Sequence, residues 1–138
     1  MQNALQFGMI YLITALYDEA KPLLEHWSFK RDRSLPYRLY RNETLCLLVT
    51  QMGMENAAKA IQALMQFTPA QRGDILINVG LCAAPRTYPL GTALYTGSIQ
   101  HREKSVQLHK TYDIALPTTM LLSVDTPVST PQACAVDM

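Results

Sequence analysis

Met9-Ile10-Tyr11-Leu12-Ile13-Thr14-Ala15-Leu16, followed at once by Tyr17-Asp18-Glu19, is the stretch that decides the fold. A short apolar run rich in aromatic and β-branched residues reads as a buried strand. The acidic pair and the early Pro22 mark a helix start, with Leu23, Leu24 and Trp27 on one face. The chain therefore opens strand–turn–helix, the first half of an α/β unit.

Working outward, Tyr37-Arg38-Leu39-Tyr40-Arg41 and Thr44-Leu45-Cys46-Leu47-Leu48-Val49-Thr50 flank the polar pair Asn42-Glu43, which predicts a hairpin. Gly53 breaks its second strand. From Met54 to Phe67 the apolar residues Ala57, Ala58, Ile61, Leu64 and Met65 fall on one helical face, and Pro69 stops that helix. Asp74-Ile75-Leu76-Ile77-Asn78-Val79, ending at Gly80, reads as a central strand. Gly91-Thr92-Ala93-Leu94-Tyr95-Thr96-Gly97 and Met120-Leu121-Leu122-Ser123-Val124 predict further strands, with residues 98–110 as loop or exposed edge. Alternating strands and helices define an α/β fold: a mixed, mostly parallel sheet flanked by helices. One domain spanning residues 1–138 is expected. The closing Ala-Val-Asp-Met reads as the start of an element.

Composition narrows the function. Of 138 residues, 49% are apolar, and 12 Lys+Arg against 11 Asp+Glu leave a net charge of +1, so no global field points to nucleic acid or anionic membrane. No apolar run approaches the roughly 18 residues of a membrane span, and residues 1–7 lack the pattern of a signal peptide. A cytoplasmic protein is expected. Cys46, Cys82 and Cys134 are odd in number, widely spaced and set among apolar neighbours, so they read as buried small hydrophobes. His26, His101 and His109 have no ligand spacing, and no CxxC or HExxH occurs; no metal and no cofactor is expected.

The generic phosphate loops and the GxSxG elbow are missing. Glu19 stands out, just after the first strand at a helix start, where α/β sheets bind ligands. A helix N-terminus favours its anion by about 0.3–1 kcal/mol, and such a carboxylate can take a proton from water as a general base. The plainer alternative is an ordinary first-turn acid. Lys30, Arg31, Arg33, Arg38 and Arg41 hold five of the twelve basic residues, interleaved with Tyr37 and Tyr40. They read as a nucleic-acid stripe or as the outward charges of a hairpin, and the hairpin fits residues 37–41 better. Met52, Met54 and Met65 line a pocket or fill core. Gly80-Leu81-Cys82-Ala83-Ala84 follows a strand and is built of small residues, either to let a ligand lie against the backbone or to pack a tight turn.

Five landmarks in order resemble the purine nucleoside phosphorylase/nucleosidase superfamily, nearest to the 5′-methylthioadenosine/S-adenosylhomocysteine nucleosidases and relatives such as futalosine hydrolase. They are Ala15-Leu16-Tyr17-Asp18-Glu19 after its strand; Met52-Gly53-Met54-Glu55-Asn56-Ala57-Ala58; Asp74-Ile75-Leu76-Ile77-Asn78-Val79-Gly80; Pro89-Leu90-Gly91; and Val136-Asp137-Met138. The resemblance runs over residues 9–138 and over the N-terminal part of the family's domain. It implies cleavage of the N-glycosidic bond of a purine nucleoside through an oxocarbenium-like transition state. By matching position, Glu19 would activate water, and Leu16 and Met52 would flank the sugar end of the pocket. Leu81, Cys82 and Ala83 would line the base and ribose side, and Met138 would lie under the ribose. A homo-oligomer is implied as well.

The resemblance also separates hydrolysis from phosphorolysis. Hexameric bacterial phosphorylases carry an Arg before the Val-Gly of the central motif and a Gly-Asp-Pro loop upstream. Here Asn78 takes the Arg position and the loop is missing, so water is favoured over phosphate. The departures are specific: Leu81-Cys82-Ala83-Ala84 replaces the family's hydroxyl- and glycine-bearing loop, and Gly91-Thr92 replaces Gly-Asp. Met138 stands one residue before the family's ribose-gripping Glu, and the Asp that protonates the purine lies beyond. A truncated or degenerate form with little or no activity is therefore expected, since losing such an acid costs about 10²–10⁴-fold in rate. The alternatives are a phosphate-dependent phosphorylase and a non-catalytic nucleoside-binding or dimerisation module.

Overall fold

The computed structural model describes residues 8–108 and 115–124. The chain forms two compact units, residues 1–81 and residues 82–138. His109, Cys134, the closing Val136-Asp137-Met138 and the tail around Pro127 and Pro131 lie outside the described residues.

The first unit is a five-stranded mixed sheet with helices on both faces. Its strands are β1 (Ile10–Thr14), β2 (Lys30–Asp32), β3 (Arg38–Arg41), β4 (Leu45–Val49) and β5 (Ile75–Asn78), in the order β2-β3-β4-β1-β5. β1 runs parallel to both β4 and β5, while β2, β3 and β4 are joined antiparallel. The helices are α1 (Tyr17–His26) and α2 (Met54–Phe67).

Strand alternation sends successive side chains to opposite faces, and both faces are filled. Tyr11 and Ile13 of β1 with Cys46 and Leu48 of β4 pack against Ala60 and Leu64 of α2. Leu12 with Leu47 and Val49 pack on the other face around Ala20, with Leu23 and Leu24 of α1. Two-sided burial explains why β1 and β4 read as continuous apolar runs in the sequence. Burying a leucine here contributes about 1.5–3 kcal/mol, so this double-faced core is the main source of the unit's stability.

Several expectations need correction. Pro22 falls inside α1 and not at its first residue, which leaves the Asp18 carbonyl without its helical donor. Trp27 caps α1 at its C-terminus, 40% exposed and edge-on to His26, instead of joining the buried face. On α2 the buried residues are Ala60 and Leu64, while Ala58, expected on the inner face, is exposed. A third hairpin strand, β2, pairs Lys30 with Arg41 and Asp32 with Leu39; three charged residues gave it no apolar signal. β5 is the edge of its sheet and not a central strand, with Leu76 49% exposed.

The second unit carries a three-stranded sheet in the order β7-β6-β8, made of β6 (Tyr95–His101), β7 (Lys104–Gln107) and β8 (Thr118–Ser123). β6 pairs antiparallel with β7 and parallel with β8. The expected strand at residues 91–97 begins only at Tyr95, and residues 98–107, expected as loop or edge, are mostly strand. The two-residue turn Arg102-Glu103 takes Arg102 to φ 55°. The paired residues 98–101 and 104–107 hold one apolar residue on each side, Ile99 facing Val106 across the ladder, too sparse a pattern to register as period two.

Candidate functional site

The carboxyl ends of parallel strands form the edge where α/β sheets bind ligands, and three of them meet here. β1 ends at Thr14, β4 at Val49 and β5 at Asn78, side by side in register. Each continuation is held in place by a backbone bond: Thr50 N–H donates to the Thr14 carbonyl at 2.9 Å, and Val79 N–H to the Ile13 carbonyl at 2.8 Å. The Thr50 hydroxyl also donates to the Gln51 carbonyl at 2.9 Å.

Glu19 sits at this edge as the third residue of α1. Its Oε1 accepts the backbone N–H of Leu16, the N-cap residue, at 3.0 Å. That is the reciprocal half of a capping box, satisfying an N–H that the helix itself leaves without a partner. Its Oε2 accepts the backbone N–H of Leu81 at 2.7 Å, across 62 residues of sequence. One carboxylate therefore ties the start of α1 to the chain leaving β5. Such charge-assisted bonds are about twice as strong as neutral ones.

Gly80 makes the second bond feasible. A Cβ at this position would stand 2.7 Å from Glu19 Oε2, inside van der Waals contact. Only glycine lets the 80–81 backbone come this close to the carboxylate. Gly53, the N-cap of α2, is required for another reason, its φ of 96°. Just before it, Gln51 takes a φ of 73° without being glycine, a strained conformation of the kind that gathers at functional edges.

The residues singled out in the sequence divide among these elements. Leu16, Glu19, Met52 and Leu81 belong to the first unit, at or next to the strand ends. Leu16 is the α1 N-cap, and Met52 lies in the turn before α2, 66% exposed. The Leu81 side chain is 90% exposed while its amide is bound to Glu19. Cys82 and Ala83 open the second unit and are exposed, and Met138 lies outside the described residues. The expectation of buried cysteines holds for Cys46, whose thiol burial pushes up to about 11, and fails for Cys82.

Sequence reasoning missed two features of this edge. One is Gly80, whose role depends on a carboxylate 61 positions earlier. The other is Thr14, whose fully buried hydroxyl has no hydrogen-bond partner among the described residues. Among those residues no cluster of His, Cys, Asp or Glu could hold a metal ion. No helix there is long and apolar enough to cross a membrane.

No family model and no curated protein matches the sequence. Solved structures do match. The methylthioadenosine nucleosidase (MTAN) of Chlamydia trachomatis superposes with a TM-score of 0.65 at 24% identity, over 88% of this chain and 62% of that one. The same enzyme bound to adenine gives a TM-score of 0.64 at 23% identity, over 88% and 62%. A Helicobacter pylori MTAN variant with 5′-methylthioadenosine in its active site gives 0.66 at 12% identity, over 86% and 65%. The chain thus has the mixed α/β fold of the nucleosidases, and it spans about three fifths of the length of the Chlamydia enzyme.

Proposed function

We propose that this chain carries the water-activating side of a purine nucleoside N-glycosidic hydrolase, with Glu19 as the general base. The observation that carries this reading is the two-oxygen clamp on Glu19 at the N-terminus of α1. A carboxylate has roughly four lone-pair sites, and two are taken by amides. The remaining sites are free to accept from a water molecule, while the two amides fix the group's orientation before any ligand arrives. In the reaction the water oxygen bonds to the anomeric carbon and its proton passes to Glu19. The bond from that carbon to the base nitrogen breaks, its electron pair leaving with the base, which takes up a proton.

Leu16 and Met52 would flank the sugar as exposed apolar residues beside the carboxylate. The likeness to structures solved with MTA and with adenine supports an adenine nucleoside as the substrate class. Water is preferred to phosphate as the second substrate because Asn78, the last residue of β5, is neutral. The test is adenine release from methylthioadenosine by the wild-type chain and by Glu19→Gln, with and without phosphate. Release that ignores phosphate and falls with the substitution supports the proposal.

A further inference from the structure

The hairpin arginines, which the nucleosidase reading leaves unused, line a cavity of the first unit that reaches Val49, Thr50 and Gln51 at the end of β4. It measures about 530 Å³ and is walled by Arg31, Arg33 and Arg38 with Tyr37, Gln51 and Asn56 among its neighbours. No carboxylate lines it, and none of the three arginines makes an ion pair among the described residues. Strand alternation explains the imbalance. On β2, Arg31 points away from its neighbours Lys30 and Asp32. Asp32 pairs with Arg41 at 3.5 Å, outside the cavity wall.

Two of the guanidinium groups are held in place by aromatic rings. Arg31 lies 5.2 Å from the centre of the Tyr40 ring, and donates to the Tyr40 hydroxyl and the Tyr37 carbonyl, each at 3.5 Å. Arg38 lies 4.6 Å from the centre of the Tyr17 ring. Stacking fixes the plane of a guanidinium while leaving edge donors for a ligand. The Asn56 carboxamide spends one N–H on the Met52 carbonyl at 2.8 Å and has a second left. Like charges gathered on one concave wall repel one another, and an anion in their midst relieves that repulsion.

We propose that this cavity is a binding site for the oxyanion group, phosphate or carboxylate, of a small molecule. A concave wall with stacked, pre-oriented guanidinium groups suits a compact anion, whereas a nucleic-acid contact needs charges spread along an extended surface. The cavity adjoins the strand-end edge through Val49, Thr50 and Gln51, but Glu19 does not line it.

The test titrates the full 138-residue chain with inorganic phosphate, with acetate and with a single-stranded DNA oligonucleotide, against chloride at equal ionic strength. The readouts are the arginine Nε–H NMR signals and the thermal midpoint. The expected result is a saturable shift of the Arg31, Arg33 and Arg38 signals with phosphate or acetate, and a midpoint raised beyond that in chloride. The tighter of the two identifies the oxyanion. Arg33→Ala, an exposed residue, should weaken binding at least about tenfold, since a bond to a charged group contributes that much. Lys59→Ala, a charge removed from α2 outside the cavity, should leave it unchanged. Phosphate and acetate acting no differently from chloride would overturn the proposal, as would equal losses in both variants. Oligonucleotide binding without phosphate or acetate binding would reassign the arginines to nucleic acid.

Discussion

Glu19 and Leu81 are joined by a 2.7 Å hydrogen bond from the Leu81 amide to one carboxylate oxygen, so the chain leaving β5 is fastened to the first turn of α1. The other oxygen is taken by the Leu16 amide at 3.0 Å. The chain leaving β1 and the chain leaving β5 are thus both held by one side chain.

Glu19→Gln replaces a two-oxygen acceptor with a single carbonyl oxygen, so one amide must give up its partner. Unfolding stability should fall by about 0.5–1.5 kcal/mol, read from the urea midpoint. Hydrogen exchange at Leu81 or at Leu16 should speed up at least about tenfold. Unchanged exchange at both amides contradicts the clamp.

Gly80→Ala tests the same contact from the opposite side. The added methyl meets Glu19 Oε2, the far end of a flexible side chain, so the carboxylate swings aside and the sheet stays as it is. The thermal midpoint should move little, while exchange at the Leu81 amide rises as it does without the carboxylate. A large loss of stability with a protected Leu81 amide would show that the backbone, and not the carboxylate, had given way.

Thr14 offers a gain instead of a loss. Its buried hydroxyl has no partner among the described residues, and an unmet buried polar group costs about 1–3 kcal/mol. Thr14→Val keeps the shape and removes the polar atom, so the urea midpoint should rise. A fall in the midpoint would mean that the hydroxyl has a partner, such as a bound water.

The two described cysteines should differ sharply in reactivity. With Cys134 replaced by serine, a thiol reagent at pH 8 should label Cys82 in the native protein. It should reach Cys46 only on unfolding, because burial both screens that thiol and holds it protonated. Native labelling of Cys46 at the rate of Cys82 would contradict the packing of β4 against α2.

Asp32 gives the first unit an acid-sensitive contact. Hydrogen bonds from Ser34, then Arg41, hold its carboxyl below the usual 3.8. A lowered folded value means that this stabilisation is complete above the unfolded value and fades as the pH falls toward the folded one. Between pH 5 and pH 3 the wild-type urea midpoint should therefore fall more than that of Asp32→Asn. Parallel slopes would show that the carboxylate contributes nothing.

The central part of the fold was readable because its physics is local. Residues 11–13 and 46–49 are buried with side chains on both faces and so are apolar without interruption, and α2 shows its inner stripe at 57, 61 and 64. Pairing across the sheet left weaker traces. β2 consists of charged residues and exists because β3 supplies its partners, while β6 and β7 carry one apolar contact between them. Glu19 was legible as a carboxylate at a helix start. Its second partner was not, since nothing in residues 80–81 names a side chain 62 positions away. The arginine cavity was hidden for a similar reason: Arg31, Arg33 and Arg38 go to a cavity wall while Arg41 goes to an ion pair with Asp32, a division that the linear order of residues 30–41 does not display.

The most direct test of the account is adenine release from methylthioadenosine by the 138-residue chain, measured beside Glu19→Gln in the presence and absence of phosphate. The account predicts release at one rate in both conditions, reduced at least about 100-fold by the substitution, as loss of a general base requires. Release that needs phosphate, release that persists undiminished in Glu19→Gln, or no release by the wild-type chain would contradict it.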